Sequence, residues 1–275
     1  MQHRSKQKYG QNFLNDPNLL KKIVTKASLK GKYVLEVGPG KGALTRFIIK
    51  EAKHVLAYEI DDTLKPFLNF DETNINVIYD DFLRRDLFKD FLLYFPPNVP
   101  VSLIGNLPYY ITSPILFKII QNPQIIEATI MMQKEVALRL VAIPNNKNYN
   151  ALSVIIQFLF RVQKNQAVKR HMFFPQPKVD SVILKLERKQ DHPSFLSPVL
   201  KQNFITFVKA AFKQKRKILL NNLSNQFSIP KETIILFFHQ QQLSSQIRAE
   251  QITLEEFQKI SIQWFLFLKT LSNTL

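Results

Sequence analysis

Five short apolar runs, each bounded by polar or turn-forming residues, set the frame of this 275-residue chain. Tyr33–Val37, His54–Ile60, Ile75–Asp80, Val101–Gly105 and Glu127–Met132 are rich in Val, Ile and Leu and too short for helices, so they predict buried strands. Before and between them the apolar positions recur at helical spacing. A helix is expected over 16–27, with Asn15 or Asp16 as cap and Pro17 in the first turn. Others are expected near 42–51, briefly over 61–70, and over 113–121. Strands alternating with helices predict an α/β domain with a mostly parallel, doubly wound sheet.

After residue 133 the order changes. Helices near 134–142 and 150–158 precede two strands, about 162–168 and 181–188, joined by the Pro-bearing segment 173–178. Two late strands without a long helix between them predict an antiparallel addition at one edge, making seven strands. Around 189–194 the composition turns polar, and the rest reads helical over 197–213, 215–225, 231–238 and 253–271. The expected division is a sheet domain over 1–189 and a small all-helical domain over 190–275, with Trp264 in the helical core.

Composition narrows the chemistry. Apolar residues make up 45%, with 23 Phe, which supports a sizeable core, and the absence of Cys excludes disulfides and thiol nucleophiles. Five scattered His offer no ligand-like spacing, so no metal site is expected. No apolar run is long enough for a membrane span and no signal-peptide core is present, so a cytoplasmic protein is expected. The net charge of +17 is uneven. Residues 1–32 hold eight Lys or Arg, Lys6 and Lys8 among them, against the single acid Asp16. A second cluster comprises Lys213, Lys215, Arg216 and Lys217, read as part of a helix. Solvated faces account for such runs as well, but concentrated positive charge is the footprint of a nucleic-acid binder.

The most specific chemistry lies at strand ends. Asn106-Leu107-Pro108-Tyr109 follows a short buried strand, and Pro108 stiffens the turn that presents an amide and an aromatic ring. In isolation it reads equally well as a strand-ending turn. Beside an aromatic face, however, a planar amide oxygen suits a flat partner with an exocyclic amine, such as adenine. Glu36-Val37-Gly38-Pro39-Gly40 forms the first strand-to-helix turn, where glycines allow close backbone approach. Pro39 removes an amide that a pyrophosphate would use, and Glu36 favours an ammonium over a phosphate. Glu59 ends the second strand, where a carboxylate accepts ribose hydroxyls, with Ile60 beside it. Asp81, followed by Phe82, ends the third, within reach of an adenine amine. An adenosyl group carrying an amino acid in place of phosphates is S-adenosylmethionine. The antiparallel ending of the sheet also fits a Rossmann-like methyltransferase better than a dehydrogenase.

Taken in order, these motifs resemble the ribosomal RNA small-subunit adenine dimethyltransferases associated with kasugamycin sensitivity. The likeness runs from Lys8-Tyr9-Gly10-Gln11-Asn12-Phe13-Leu14 through the four strand-end motifs to Gln133–Val136, Phe173–Ser181, Phe212–Lys217 and Arg248-Ala249-Glu250. The resemblance implies cofactor contacts at Asn12, Leu14, Gly38, Glu59, Asp81 and Asn106. It implies two adjacent N6,N6-dimethyladenosines as product, in a hairpin near the 3′ end of small-subunit rRNA. It also implies that the helical domain helps dock the enzyme, acting as a monomer, on an immature 30S particle. Gln11, Glu36, Gly40, Ile60 and Phe82 complete the expected cofactor set. Phe82 departs from the small residue usual at its position, and Tyr110 from the usual polar one.

The expected mechanism gives Asn106 and the Leu107 carbonyl the N6 hydrogens of the target adenine, with Pro108 fixing the turn. Tyr109 stacks on the base and Phe173, expected in a loop, closes its other face. Lys6, Lys8, the 213–217 cluster and Arg248 contact RNA, while Gln11–Leu14 doubles as a lid over the cofactor. A large-subunit rRNA adenine methylase of the erythromycin-resistance type and a non-catalytic assembly factor on the same fold are the competing readings. A nicotinamide dehydrogenase is a more distant reading, since the chain offers no His or Lys in a plausible proton-transfer position.

Overall fold

The computed structural model describes Lys6, residues 9–189 and residues 197–273. The chain forms two compact units, residues 1–137 with 161–188 and residues 138–160 with 189–275.

The first unit is built on a seven-stranded sheet. Strands β2 (Tyr33–Val37), β3 (His54–Glu59), β4 (Ile75–Tyr79), β5 (Val101–Asn106), β6 (Ile125–Gln133), β7 (Phe160–Val168) and β9 (Ser181–Arg188) take the order β4-β3-β2-β5-β6-β9-β7. β4 through β6 pair in parallel, and β9 runs antiparallel to β6. The expected α/β sheet with an antiparallel edge is therefore present. Its order reverses between β2 and β5, the place where open α/β sheets form a ligand crevice at the carboxyl ends of their strands. Gly105 is required here, because a Cβ would lie 2.6 Å from the Val37 carbonyl on the neighbouring strand.

Helices α1 (Pro17–Ala27), α2 (Thr45–Glu51), α3 (Leu87–Tyr94), α4 (Thr112–Gln121) and α5 (Lys134–Leu140) connect these strands. Asp16 caps α1 by accepting from the amides of Asn18 and Leu19, and Pro17 occupies the first turn as expected. α2 starts at Thr45 rather than near 42, because Gly40 and Gly42 both hold positive φ and continue the turn. α3 is unannounced by the hydrophobic pattern. Asp86 caps it, but Phe88, Leu92 and Leu93 are exposed, so apolar residues lie on both its faces.

A two-stranded ladder, also unexpected, pairs β1 (Phe13–Leu14) with β8 (Phe173–Phe174) antiparallel. Leu14 and Phe173 are buried in a cluster with Leu20, Ile23, Met131 and Ile183. Arg188, at the end of β9, donates to the carbonyls of Ile125, Ile119 and Asn122 and so closes the carboxyl end of α4; burial lowers its pKa to about 10.

The second unit contains α6 (Ala151–Leu159), α7 (Pro198–Ala211), α8 (Leu219–Phe227), α9 (Lys231–Gln240) and α10 (Leu254–Asn273). Trp264 is fully buried, with the rings of Phe207, Phe227, Phe237 and Phe267 centred within 6 Å. The expected boundary at 189/190 is too simple, since residues 138–160 group with this unit. Aromatic packing is the reason. Phe158 stacks on Phe204 at 3.7 Å, Tyr149 meets Phe212 edge-on, and the Tyr149 hydroxyl donates to the Ile252 carbonyl. No described helix is long and apolar enough to cross a membrane.

Candidate active site

The carboxyl ends of β2, β3, β4 and β5 open into one cleft of about 1120 Å³, its mouth included. All of the expected cofactor residues line it: Gln11, Asn12, Leu14, Glu36, Gly38, Gly40, Glu59, Ile60, Asp81, Phe82 and Asn106. Leu107, Pro108 and Tyr109 line it too, together with Lys41 and Tyr110. Four of the five places in sequence converge because parallel strands deliver their ends to the same edge, and the fifth, the amino-terminal segment, joins them from outside the sheet.

Asn106 closes β5. Its Nδ2 donates to the Asn12 carbonyl at 3.0 Å, which orients the amide and leaves Oδ1 as an acceptor without a partner among the described residues. The Leu107 amide donates to the Met131 carbonyl, and the Pro108 carbonyl accepts from Ile111 and the Thr112 hydroxyl. The turn is thus pinned on both sides. The Tyr109 hydroxyl lies 2.8 Å from Ser181 Oγ, a fully buried residue at the start of β9. Nothing in the pattern of the chain marks Ser181 for this role, although it ends the motif Phe173–Ser181.

Three acids at strand ends differ in their hydrogen-bond partners. Burial pushes Glu36 up to about 8, with the Thr45 hydroxyl pulling the other way and the Glu59 charge adding to the rise. Neither Glu36 Oε2 nor Thr45 Oγ1 has a hydrogen bond of ordinary geometry among the described residues, so the Thr45 contact is loose. Glu59 is also raised by burial, opposed by the amides of Asp61 and Gly40, each of which donates to it at 2.9 Å. The Gly40 bond ties the glycine turn to the end of β3. Asp81 accepts from the Leu83 amide at 2.9 Å and faces Arg84 loosely at 3.7 Å.

The segment carrying Asp81 has its own support, which the sequence did not announce. The Tyr58 hydroxyl and the Arg85 guanidinium both reach the buried carboxylate of Asp90, and Arg85 also reaches Asp80. Lys118 donates to the carbonyls of Leu83 and Arg85. Phe82 is buried against Tyr58, ring centres 5.4 Å apart, and lines the cleft.

The amino-terminal segment 9–15 crosses the cleft and is tied at several points. Asp61 accepts from Lys6 Nζ at 2.6 Å, from Gln11 Nε2 at 2.8 Å and from Thr63. Burial alone would raise Asp61, but Lys6, Thr63 and Gln11 outweigh it and hold the carboxyl at about 2. Lys6, expected at the RNA surface, is paired with buried Asp61 while its own side chain is partly exposed; Lys8 lies outside the described residues. Phe173 also departs from expectation. It occupies a strand rather than a loop, is buried and is absent from the cleft lining, because pairing with Leu14 turns it toward the core.

In the second unit the expected basic helix over 213–217 is a turn between α7 and α8. Four cations within five positions repel along a helix, and buried Asn222 supplies alternative bonds. Its Nδ2 donates to the carbonyls of Ala211 and Gln214, and its Oδ1 accepts from the Gln214 amide. Lys213, Lys215, Arg216 and Lys217 are all exposed on this turn, with Lys215 Nζ bonded to the Lys147 carbonyl. The Leu219 amide donates to the Ile247 carbonyl, which brings Arg248 to the same end of the unit. Among the described residues no group of His, Cys, Asp and Glu could hold a metal ion.

Comparison with known proteins agrees with this geometry. The chain is 68% identical to the ribosomal RNA small subunit methyltransferase A of Phytoplasma australiense, over 97% of this chain and 94% of that protein. It is 39% identical to the protein of the same name from Mycoplasmopsis pulmonis (strain UAB CTIP), over 94% of this chain and 99% of that one. Among solved structures it resembles a dimethyladenosine transferase from Plasmodium falciparum (TM-score 0.75, 27% identity, 93% of this chain and 98% of that chain). The 23S rRNA methyltransferase ErmE is also similar (TM-score 0.65, 27% identity, 92% of this chain and 99% of that chain). The family model described as ribosomal RNA adenine dimethylase matches residues 2–264, and the chain belongs to that family.

Proposed function

We propose that the chain transfers methyl groups from S-adenosylmethionine to N6 of two adjacent adenosines near the 3′ end of small-subunit rRNA, during assembly of the subunit. One observation carries the reading: Asn106–Tyr109 shares a cleft with Glu36, Glu59 and Asp81. The names of relatives at 67–68% identity favour the small subunit over the large.

The cleft suits the cofactor. Glu36 Oε2 is buried without a partner among the described residues and suits an ammonium group. Each Glu59 oxygen would retain acceptor capacity for ribose hydroxyls, and Asp81 would take an adenine amine, with Ile60 and Phe82 in the same lining. Gln11, Asn12 and Leu14 cover the site. S-adenosylmethionine supplies a methyl group on a positively charged sulfur, so the leaving thioether needs no acid.

The residues of the chain then position the base. Asn106 Oδ1 and the Leu107 carbonyl accept the two N6 hydrogens, which favours a pyramidal nitrogen with its lone pair directed into the cleft. Tyr109, held by Ser181, stacks on the adenine. Holding the nitrogen in line lowers the barrier by several kcal/mol, on the order expected for proximity alone. The methylated nitrogen loses its proton to water. The turn 213–217 and Arg248 meet RNA phosphates, where recognition is by backbone and shape. Transfer of labelled methyl groups, mapped by nucleotide on unmethylated small subunits and on protein-free large-subunit rRNA, tests the reading. Label on two adjacent small-subunit adenosines supports it; label only on large-subunit RNA overturns it.

A further inference from the structure

The register of the β1–β8 ladder decides which member of the Phe173-Phe174 pair meets solvent. Leu14 faces Phe173 and Phe13 faces Phe174, and directly opposed residues share a face of the ladder. The first pair is the core face, with both side chains buried. The second is the outer face: Phe13, which like Leu14 lines the cleft, opposes Phe174, and Phe174 is 71% exposed. Phe174 therefore stands one strand spacing, about 5 Å, from the cleft wall.

Its surroundings are cationic. Lys169, Arg170 and Lys178 are exposed on the same segment. Asp180 closes the segment by accepting from Lys169 Nζ at 3.2 Å and the Arg170 amide at 3.0 Å, and Arg170 Nη1 reaches the Lys178 carbonyl. A large exposed ring on a fixed, positively charged turn matches a partner with a flat apolar face and an anionic edge, which is a nucleotide.

We propose that Phe174 stacks on the adenosine next to the one held in the cleft, with Arg170 and Lys178 meeting the adjoining phosphates. This rests on the reading of the substrate as paired adenosines. While one base is in the cleft its neighbour has lost a stacking partner, and Phe174 replaces it. The residue thereby selects RNA in which a second base adjoins the target.

The test compares wild type, Phe174→Ala and Phe174→Tyr on unmethylated small subunits, and on subunits reconstituted with an abasic nucleotide beside the target adenosine. Phe174→Ala should raise the KM for intact subunits about tenfold, the size of one base–aromatic stack. The KM for S-adenosylmethionine should be unchanged, and Phe174→Tyr should restore the RNA KM. On the abasic subunits wild type and Phe174→Ala should be equal. Equal RNA KM values on intact subunits, or a Phe174→Ala defect that persists on abasic ones, would overturn the stacking role while leaving the methyltransferase reading in place. Failure of wild type to methylate intact subunits would remove both.

Discussion

Asn106, at the end of β5, donates its side-chain amide to the backbone carbonyl of Asn12 at 3.0 Å. The bond joins the Asn106–Tyr109 turn to the segment that lines the cleft, so the orientation of Asn106 depends on where that segment sits. The same segment is tied at Asp61 through Lys6 and Gln11, and at the β1–β8 ladder.

Asp61→Asn should release that segment. It removes the charge that Lys6 and Gln11 share while leaving the strand ends in place. The expected result is a KM for S-adenosylmethionine raised severalfold, together with faster amide exchange over residues 9–14, read by mass spectrometry. The sign with pH is fixed. Because Asp61 is held at about 2, its contribution is present above the ordinary aspartate value and is lost as pH falls through about 2. Attachment of the segment should therefore be insensitive to pH across the neutral range.

Glu36 should behave in the opposite sense. Its carboxyl is raised to about 8, so the folded state holds a proton that the unfolded state has already released. Stability without cofactor should fall as pH rises from about 4.5 to about 8, then level off, as far as Glu36 determines it. Glu36→Gln should flatten that slope and raise Tm at pH 9 relative to wild type. The same change should weaken S-adenosylmethionine about tenfold or more, consistent with loss of a charged hydrogen bond. Thermal melts across pH with and without cofactor would check both halves.

Tyr109→Phe keeps the ring but loses the bond to Ser181, and should cost ~1 kcal/mol in kcat/KM. Tyr109→Ala removes the stacking face and should cost far more, chiefly in kcat. Equal effects of the two variants would assign Tyr109 to hydrogen bonding rather than stacking.

Much of this arrangement is legible in the sequence, for a physical reason. Parallel strands buried on both faces read as continuous apolar runs, and their ends fix where Glu36, Glu59, Asp81 and Asn106 must converge. What stays hidden depends on long-range pairing or on single buried polar groups. Two-residue strands leave no periodic signal, so only the register against Phe13–Leu14 shows that Phe174 points outward and Phe173 inward. The long side chains over 213–217 are good helix formers, and repulsion among their charges together with the bonds of buried Asn222 overrides them. Lys6 looks like one more surface cation until Asp61 is seen beneath it.

The turn over 213–217 gives a separate prediction. Replacing Lys215 and Arg216 together by Ala should weaken small-subunit binding at low salt. The slope of log affinity against log salt should become shallower by about one for each phosphate that is no longer neutralised. Affinity for S-adenosylmethionine should not change. Filter binding over a range of salt concentrations would show it.

The most direct test of the account is Asn106→Ala on unmethylated small subunits, with single-turnover methyl transfer and equilibrium RNA affinity measured on the same preparation. If Asn106 Oδ1 positions the adenine nitrogen, transfer should fall by ~10²-fold or more, as for loss of a group acting on the reacting atoms, while RNA affinity stays within a few-fold of wild type. Retained transfer, or a parallel loss of transfer and RNA affinity, would contradict it.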